Sequence, residues 1–147
     1  MTEPSDATVP SYAEVDAGVR RAIATYTQAL DDGRTDDVVA TFCAEATVEI
    51  PGMGTHVGAD AIREAYAAWT PRRPQRHLVL NTLVTEWTAD EAHATSDVVF
   101  LLKGKEGWAV QVVGRYDDVL HRESDGAGDG ADGYRWRFHA RRASFLD

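Results

Sequence analysis

From Arg76 to Phe145 the chain is written almost entirely in strand-forming runs, and this most narrows what it can fold into. Arg76 to Trp87 and Glu91 to Leu102 are two long runs joined by Thr88, Ala89 and Asp90, with a third from Gly107 to Arg122 and a fourth from Tyr134 to Phe145. Successive runs on short links read as an antiparallel meander. Between the last two, residues 124–133 are Gly, Asp, Ala and Ser alone, a composition that disfavours strand and marks an acidic hairpin tip. Asp125, Asp129 and Asp132 offer oxygens there but lack calcium-loop spacing, so the segment reads as a solvated tip.

The first half has helical period instead. Residues 1–12 are expected to be a disordered tail. Val15, Val19, Ile23, Tyr26 and Leu30 recur at steps of three and four and predict a helix over 13–32, closed by Gly33. Thr35 is placed to cap a second helix over 36–44, with Asp36 and Asp37 in its first turn and Val38, Val39 and Phe42 buried. Ala46 to Ile50 reads as a strand stopped by Pro51 and Gly52, and Met53 to Val57 as a turn or short strand. A third helix is expected over 59–69, with Ile62, Tyr66 and Trp69 on one face. Helices early and strands late make the class α+β. The 147 residues suit one domain, with a tail over 1–12 and the domain over 13–147. An antiparallel sheet that curls around amphipathic helices leaves a cavity at its concave face. Trp108, Val110, Val112, Trp136 and Phe138 suggest an apolar outer sheet face, and a homo-oligomer, dimer or trimer, is expected.

Charge and motifs exclude several classes. With 15 basic and 24 acidic residues the net charge is −9, the wrong sign for a phosphate-binding surface or an anionic membrane. The basic runs at Arg72, Arg73 and Arg76 and from Arg135 to Arg142 mix with apolar residues at strand spacing and read as solvated strand faces. No apolar run reaches transmembrane length, and residues 1–13 do not resemble a signal peptide. Cys43 is the single cysteine, so no intrachain disulfide is possible; it reads as a small buried hydrophobe, and a cytoplasmic protein is expected. Nucleotide loops, paired cysteines and nucleophile elbows are absent. None of His56, His77, His93, His121 and His139 shows an i, i+4 metal pattern, so neither metal nor cofactor is expected.

What remains is a set of polar groups at positions the pattern would bury. Tyr26 lies on the apolar face of the first helix and Asp31 near its end. His77 and Asn81 share a strand face with Val79 and Leu83, and Tyr116 shares one with Gly114 and Asp118. Each has a plain structural reading: a packed tyrosine, a chain-turning aspartate, a hydrogen-bonded core histidine, a sheet brace. Together they carry chemistry. An Asp beside a His orients the imidazole and raises its basicity, and a tyrosine hydroxyl can donate to a developing enolate oxygen.

The segment from Tyr26 to Ile50 resembles the opening of the SnoaL-like group of the nuclear-transport-factor-two-like superfamily. Gly58 to Tyr66 fits its third helix; Arg76 to Asn81, Gly114 to Asp118 and Tyr134 to Phe138 fit its strands, so the resemblance spans about residues 13–146. It implies a cone-shaped, curved, mixed or antiparallel sheet wrapped around three N-terminal helices and enclosing an apolar pocket. The first half is similar to ketosteroid isomerase, with Tyr26 at that family's oxyanion-hole tyrosine, but Ile50 stands where it has its catalytic Asp. Scytalone dehydratase and the bile-acid 7α-dehydratase resemble the chain further, since Asp31 and His77 match their acid–base pair. Leu102 stands where they carry another acid or His. Of the relay in limonene-epoxide hydrolase, Asp118 and Arg142 offer pieces. The resemblance therefore implies a cofactor-independent lyase or isomerase, dehydratase- or cyclase-like, acting on an apolar carbonyl-bearing molecule such as a steroid or polyketide. His77 would be the base, Asp31 its partner, and Tyr26 and Tyr116 hydrogen-bond donors. Met53, Trp69, Val79, Asn81, Val98, Phe100 and Leu102 would line the pocket. The alternative is a non-catalytic binding or oligomerisation domain of the same fold.

Overall fold

The structure, a computed structural model, describes residues 8–124 and 133–146. Most of the expected tail and the acidic tip over 125–132 lie outside the described residues. Helix α1 spans Tyr12–Asp31. Ser11 starts it with a reciprocal cap: its hydroxyl accepts from the Glu14 N–H at 3.2 Å, and the Glu14 carboxylate accepts from the Ser11 N–H at 2.8 Å. Val15, Val19, Ile23, Tyr26 and Leu30 form its buried stripe, as the period predicts. Gly33, at φ +73°, takes the left-handed turn that ends it.

The next element departs from expectation. Helix α2 covers only Thr35–Val39, and strand β1 begins at Phe42 and runs to Ile50. Phe42 and Cys43 are therefore strand residues. The apolar spacing of Val38, Val39 and Phe42 fits a helix, but the Phe42 ring packs on Tyr26 and on Phe138, 5.9 and 5.4 Å away between centroids, from a strand paired with the end of the chain. Tertiary packing overrides a short local pattern here.

Strand β2 (Gly54–Val57) pairs back on β1, helix α3 spans Ala59–Ala68, and the long strands follow: β3 (Gln75–Trp87), β4 (Glu91–Gly104), β5 (Gly107–Ser124) and β6 (Tyr134–Phe145). Together they form one six-stranded sheet in the order β2-β1-β6-β5-β4-β3. Every neighbouring pair is antiparallel except β1 with β6. The α+β class and curved, mixed sheet follow the expectation. Helix α1 packs its apolar stripe against Val84, Ala92, Ala94, Leu120 and Phe138 in one core. Among the described residues no helix is long and apolar enough to cross a membrane.

Two irregularities decide which side chains face that core. On β3 the register with β4 slips between Leu80 and Leu83, and Asn81 sits there at φ +55°. An extra residue inverts the alternation. The inward positions run Gln75, His77 and Val79, then resume at Thr82 and Val84. Asn81 is thus exposed and does not share a face with His77; its amide donates to Asp97 Oδ2 at 2.8 Å. On β6 the register with β5 slips between Val119 and Leu120, which leaves His139 as the extra residue. Trp136 and Phe138, expected on the outer face, are 8% and 0% exposed and point inward. Gly18 of α1 lies under the Trp136 ring, where a Cβ would fall 2.3 Å from Cδ1. Trp108 and Val110 remain exposed, while Val112 is half-buried.

Asn tolerates the left-handed conformation; a β-branched residue does not. Asn81→Val should cost about 1–2 kcal/mol in urea denaturation, and Asn81→Gly less than about half of that. Equal losses would place the cost in the Asp97 hydrogen bond rather than in the backbone.

Candidate functional site

Asp31 is the last residue of α1, and the helix delivers its carboxylate to the start of β3. Side chains of Gln75 and His77, both inward on β3, meet it there. Oδ1 accepts from Gln75 Nε2 at 3.1 Å and lies 2.7 Å from His77 Nδ1, while Oδ2 accepts from the His77 backbone N–H at 2.8 Å. The carboxylate thus holds both ring and backbone of one residue. A carboxylate only accepts, so Nδ1 carries the proton and the neutral ring keeps its lone pair on Nε2. Phe100, across the β3–β4 ladder, stacks on the imidazole at 4.5 Å and 26°. Nε2 has no hydrogen-bond partner among the described residues. The Asp31 side chain is 4% exposed and that of His77 15%, so the partner is sealed and the imidazole remains reachable.

Beneath the same concave face lies a closed charge pair. Arg141 Nε and Nη2 donate to the two Asp118 oxygens at 2.8 and 3.0 Å, and neither side chain is exposed. The guanidinium lies over the rings of Tyr116, Phe138 and Tyr26 at 3.8, 4.3 and 4.4 Å. Burial works against its charge, but the attraction and hydrogen bonds of Asp118 outweigh this and carry the Arg141 pKa above its ordinary value. Nη1 is buried without a partner among the described residues. The Tyr26 and Tyr66 hydroxyls lie 2.6 Å apart. Burial pushes the pKa of Tyr26, Tyr66 and Tyr116 up, so all three are hydroxyl donors across the physiological range. Strict alternation from Trp136 and Phe138 points to Arg142 as the partner of Asp118. The bulge at His139 shifts the phase by one and turns Arg141 inward; Arg142 is outward, 3.8 Å from Glu49.

The expected pocket residues divide. Val79 and Val98 cluster with Tyr116, Ala143 and Ile50 beside the imidazole. Phe100 stacks on it, and half-buried Leu102 pairs with Gln75. Trp69 packs on Tyr66 and His56 at 4.9 and 5.4 Å. Met53 is 42% exposed in the β1–β2 turn, and Asn81 lies on the other face. Two depressions are present, and neither His77 nor Asp31 lines either of them. One of about 600 Å³ is bounded by Ile50, Ala143 and Phe145, and one of about 620 Å³ lies between α1 and β6 at Gly18, Arg21 and Trp136. Periodicity overlooked Gln75, although it shares the phase of His77. It also overlooked Arg141, which the basic run concealed, and a group on the other face of the sheet formed by Cys43, His121 and His139.

The sequence model of the SnoaL-like domain matches residues 11–142. Among solved structures, a Mycobacterium tuberculosis protein of unknown function is similar at 24% identity and a TM-score of 0.78, over 92% of this chain and 78% of that one. A candidate scytalone dehydratase from Novosphingobium aromaticivorans is similar at 19% identity and a TM-score of 0.73, over 90% and 85%. A Catenulispora acidiphila structure in complex with S-DNPA gives 24%, 0.75, 90% and 94%. At these identities the likeness establishes the fold alone. Among curated proteins none matches.

Removing one half of the buried pair leaves an uncompensated charge. Arg141→Met should cost about 3–5 kcal/mol in denaturant unfolding. Combining it with Asp118→Leu should recover part of that loss. Strictly additive losses would show the two groups to be uncoupled.

Proposed function

Because this chain belongs to the SnoaL-like domain family, we propose that it is a cofactor-independent lyase or isomerase in which His77 and Asp31 form an acid–base pair. The observation that carries the reading is the 2.7 Å contact between His77 Nδ1 and Asp31 Oδ1, which leaves Nε2 unpartnered beside an apolar wall. In this reading Nε2 takes a proton from the carbon next to a substrate carbonyl. The buried carboxylate stabilises the imidazolium that forms. Tyr26 and Tyr116 are the hydroxyl donors to the developing enolate oxygen in this reading. The proton then leaves Nε2 for a departing hydroxyl, giving water and a double bond, or for a different carbon, shifting one. Leu102 offers no second acid, so one imidazole serves both steps and elimination is expected to be syn. Val79, Val98, Phe100 and Ile50 suit an apolar carbonyl compound of steroid or polyketide type, in line with the candidate scytalone dehydratase among the structural neighbours. Tyr134, on the far end of β6, takes no part. A homo-oligomer in the cytoplasm completes the proposal; exposed Leu78, Leu80, Trp108 and Val110 support the association.

Leu102 favours a second reading, a binding module in which the same groups only orient a ligand.

Exchange of the α-proton in D2O, followed by NMR over a panel of apolar β-hydroxy carbonyl compounds, separates the two. His77→Gln should reduce exchange by at least about 100-fold and Asp31→Asn by at least about 10-fold, both with the fold retained by circular dichroism. Undiminished exchange in His77→Gln would overturn the assignment. Saturable binding with no exchange at any pH would establish the binding module.

A further inference from the structure

Cys43, His121 and His139 come from three strands and meet on the face of the sheet opposite Leu120 and Phe138. One ligand atom from each lies within 4.8 Å of the other two. We propose that they form a binding site for a thiophilic divalent cation of the zinc type, clipping β1, β5 and β6 together.

Two features of the backbone bring them there. His139 is the extra residue of the β6 bulge, between Phe138 paired with Leu120 and Ala140 paired with Val119. Bulges re-aim side chains, and this one lays the His139 ring on that of His121, 4.0 Å apart and 10° from parallel. Cys43 opens the stretch over which the parallel β1–β6 register shifts, between Phe42 and Thr47. Its thiol reaches the Arg137 carbonyl at 3.7 Å.

The surroundings are those of a ligating set. Glu91 Oε2 lies 3.0 Å from His121 Nε2 and orients that ring, as a carboxylate behind a ligating histidine does. The other Glu91 oxygen lies 2.9 Å from His93 Nε2, and Glu123, paired with Arg137 at 2.9 Å, also faces the Cys43 thiol. Tetrahedral zinc with bonds of about 2.0–2.3 Å needs ligand atoms about 3.3–3.6 Å apart, so the three groups close by about 1 Å and the rings splay. One sulfur and two imidazoles leave a fourth position for water.

The chemistry of the thiol agrees. Burial pushes the Cys43 pKa up to about 12, which removes it as a nucleophile near neutral pH. A bound dication reverses this: the S–H bond breaks, the sulfur–metal bond forms and the proton goes to solvent.

The test uses the full chain stripped with chelator. Zinc chloride is titrated against a chromophoric chelator, and cobalt chloride is followed by absorbance. One ion per chain is expected, with a thiolate-to-cobalt charge-transfer band. Cys43→Ser should lose the band, and both Cys43→Ser and His139→Gln should lose at least tenfold in zinc affinity with the metal-free fold retained by circular dichroism. His56→Gln, on β2 and outside the ligand set, should bind as the parent does. Absence of the band from the parent chain, or parental zinc affinity in both Cys43→Ser and His139→Gln, would overturn the site.

Discussion

A guanidinium with no exposed surface is the constraint around which this sheet is arranged. Taking Arg141 out of water is costly, and only a carboxylate at the same depth and in bidentate geometry can offset it. Asp118 supplies that from the register-paired position on β5, at 2.8 and 3.0 Å. A slip of one residue between β5 and β6 would bury one charge without the other. The pair therefore acts as a register pin more than as a source of net stability. The rings of Tyr26, Tyr116 and Phe138 close over the cation, and through Tyr26 the pin reaches α1.

The Asp31–His77 pair obeys the same electrostatics with one difference. Arg141 and Asp118 are both sealed, and each has the other as its counter-charge. Asp31 is sealed but His77 is reachable, and one ring nitrogen has no partner among the described residues. In the proposed reading, a buried carboxylate on a half-buried imidazole lets a proton be taken and returned, because the charge that forms already has its counter-ion in place. Leu30 and Ala29 hold the end of α1 against the core, so the carboxylate is positioned by the helix rather than by a loop.

Much of this was legible in the chain. Helical period along α1 gave its buried face, and the long strand runs gave the meander. Asp31 and His77 could be singled out because their environments depend on elements with strong periodic signals. The second helix was misread beyond Val39, because five or six apolar residues fit either period and only the Phe42–Phe138 contact settles which is used. Asn81 was misassigned to the inner face, and Trp136 and Phe138 to the outer one, because each strand carries a bulge and counting by two fails across it.

Composition and period alone determined the α+β class, the order of helices and strands, and the acidic surface that argues against nucleic acid. They did so because burial of apolar faces acts along each segment separately. Only the tertiary structure decided that Arg141 rather than Arg142 meets Asp118, that Asn81 faces out, and that Cys43 comes beside His121 and His139. Those outcomes depend on where a strand takes up an extra residue against its neighbour. That is a property of the paired backbones, and the side-chain pattern of either strand alone does not carry it.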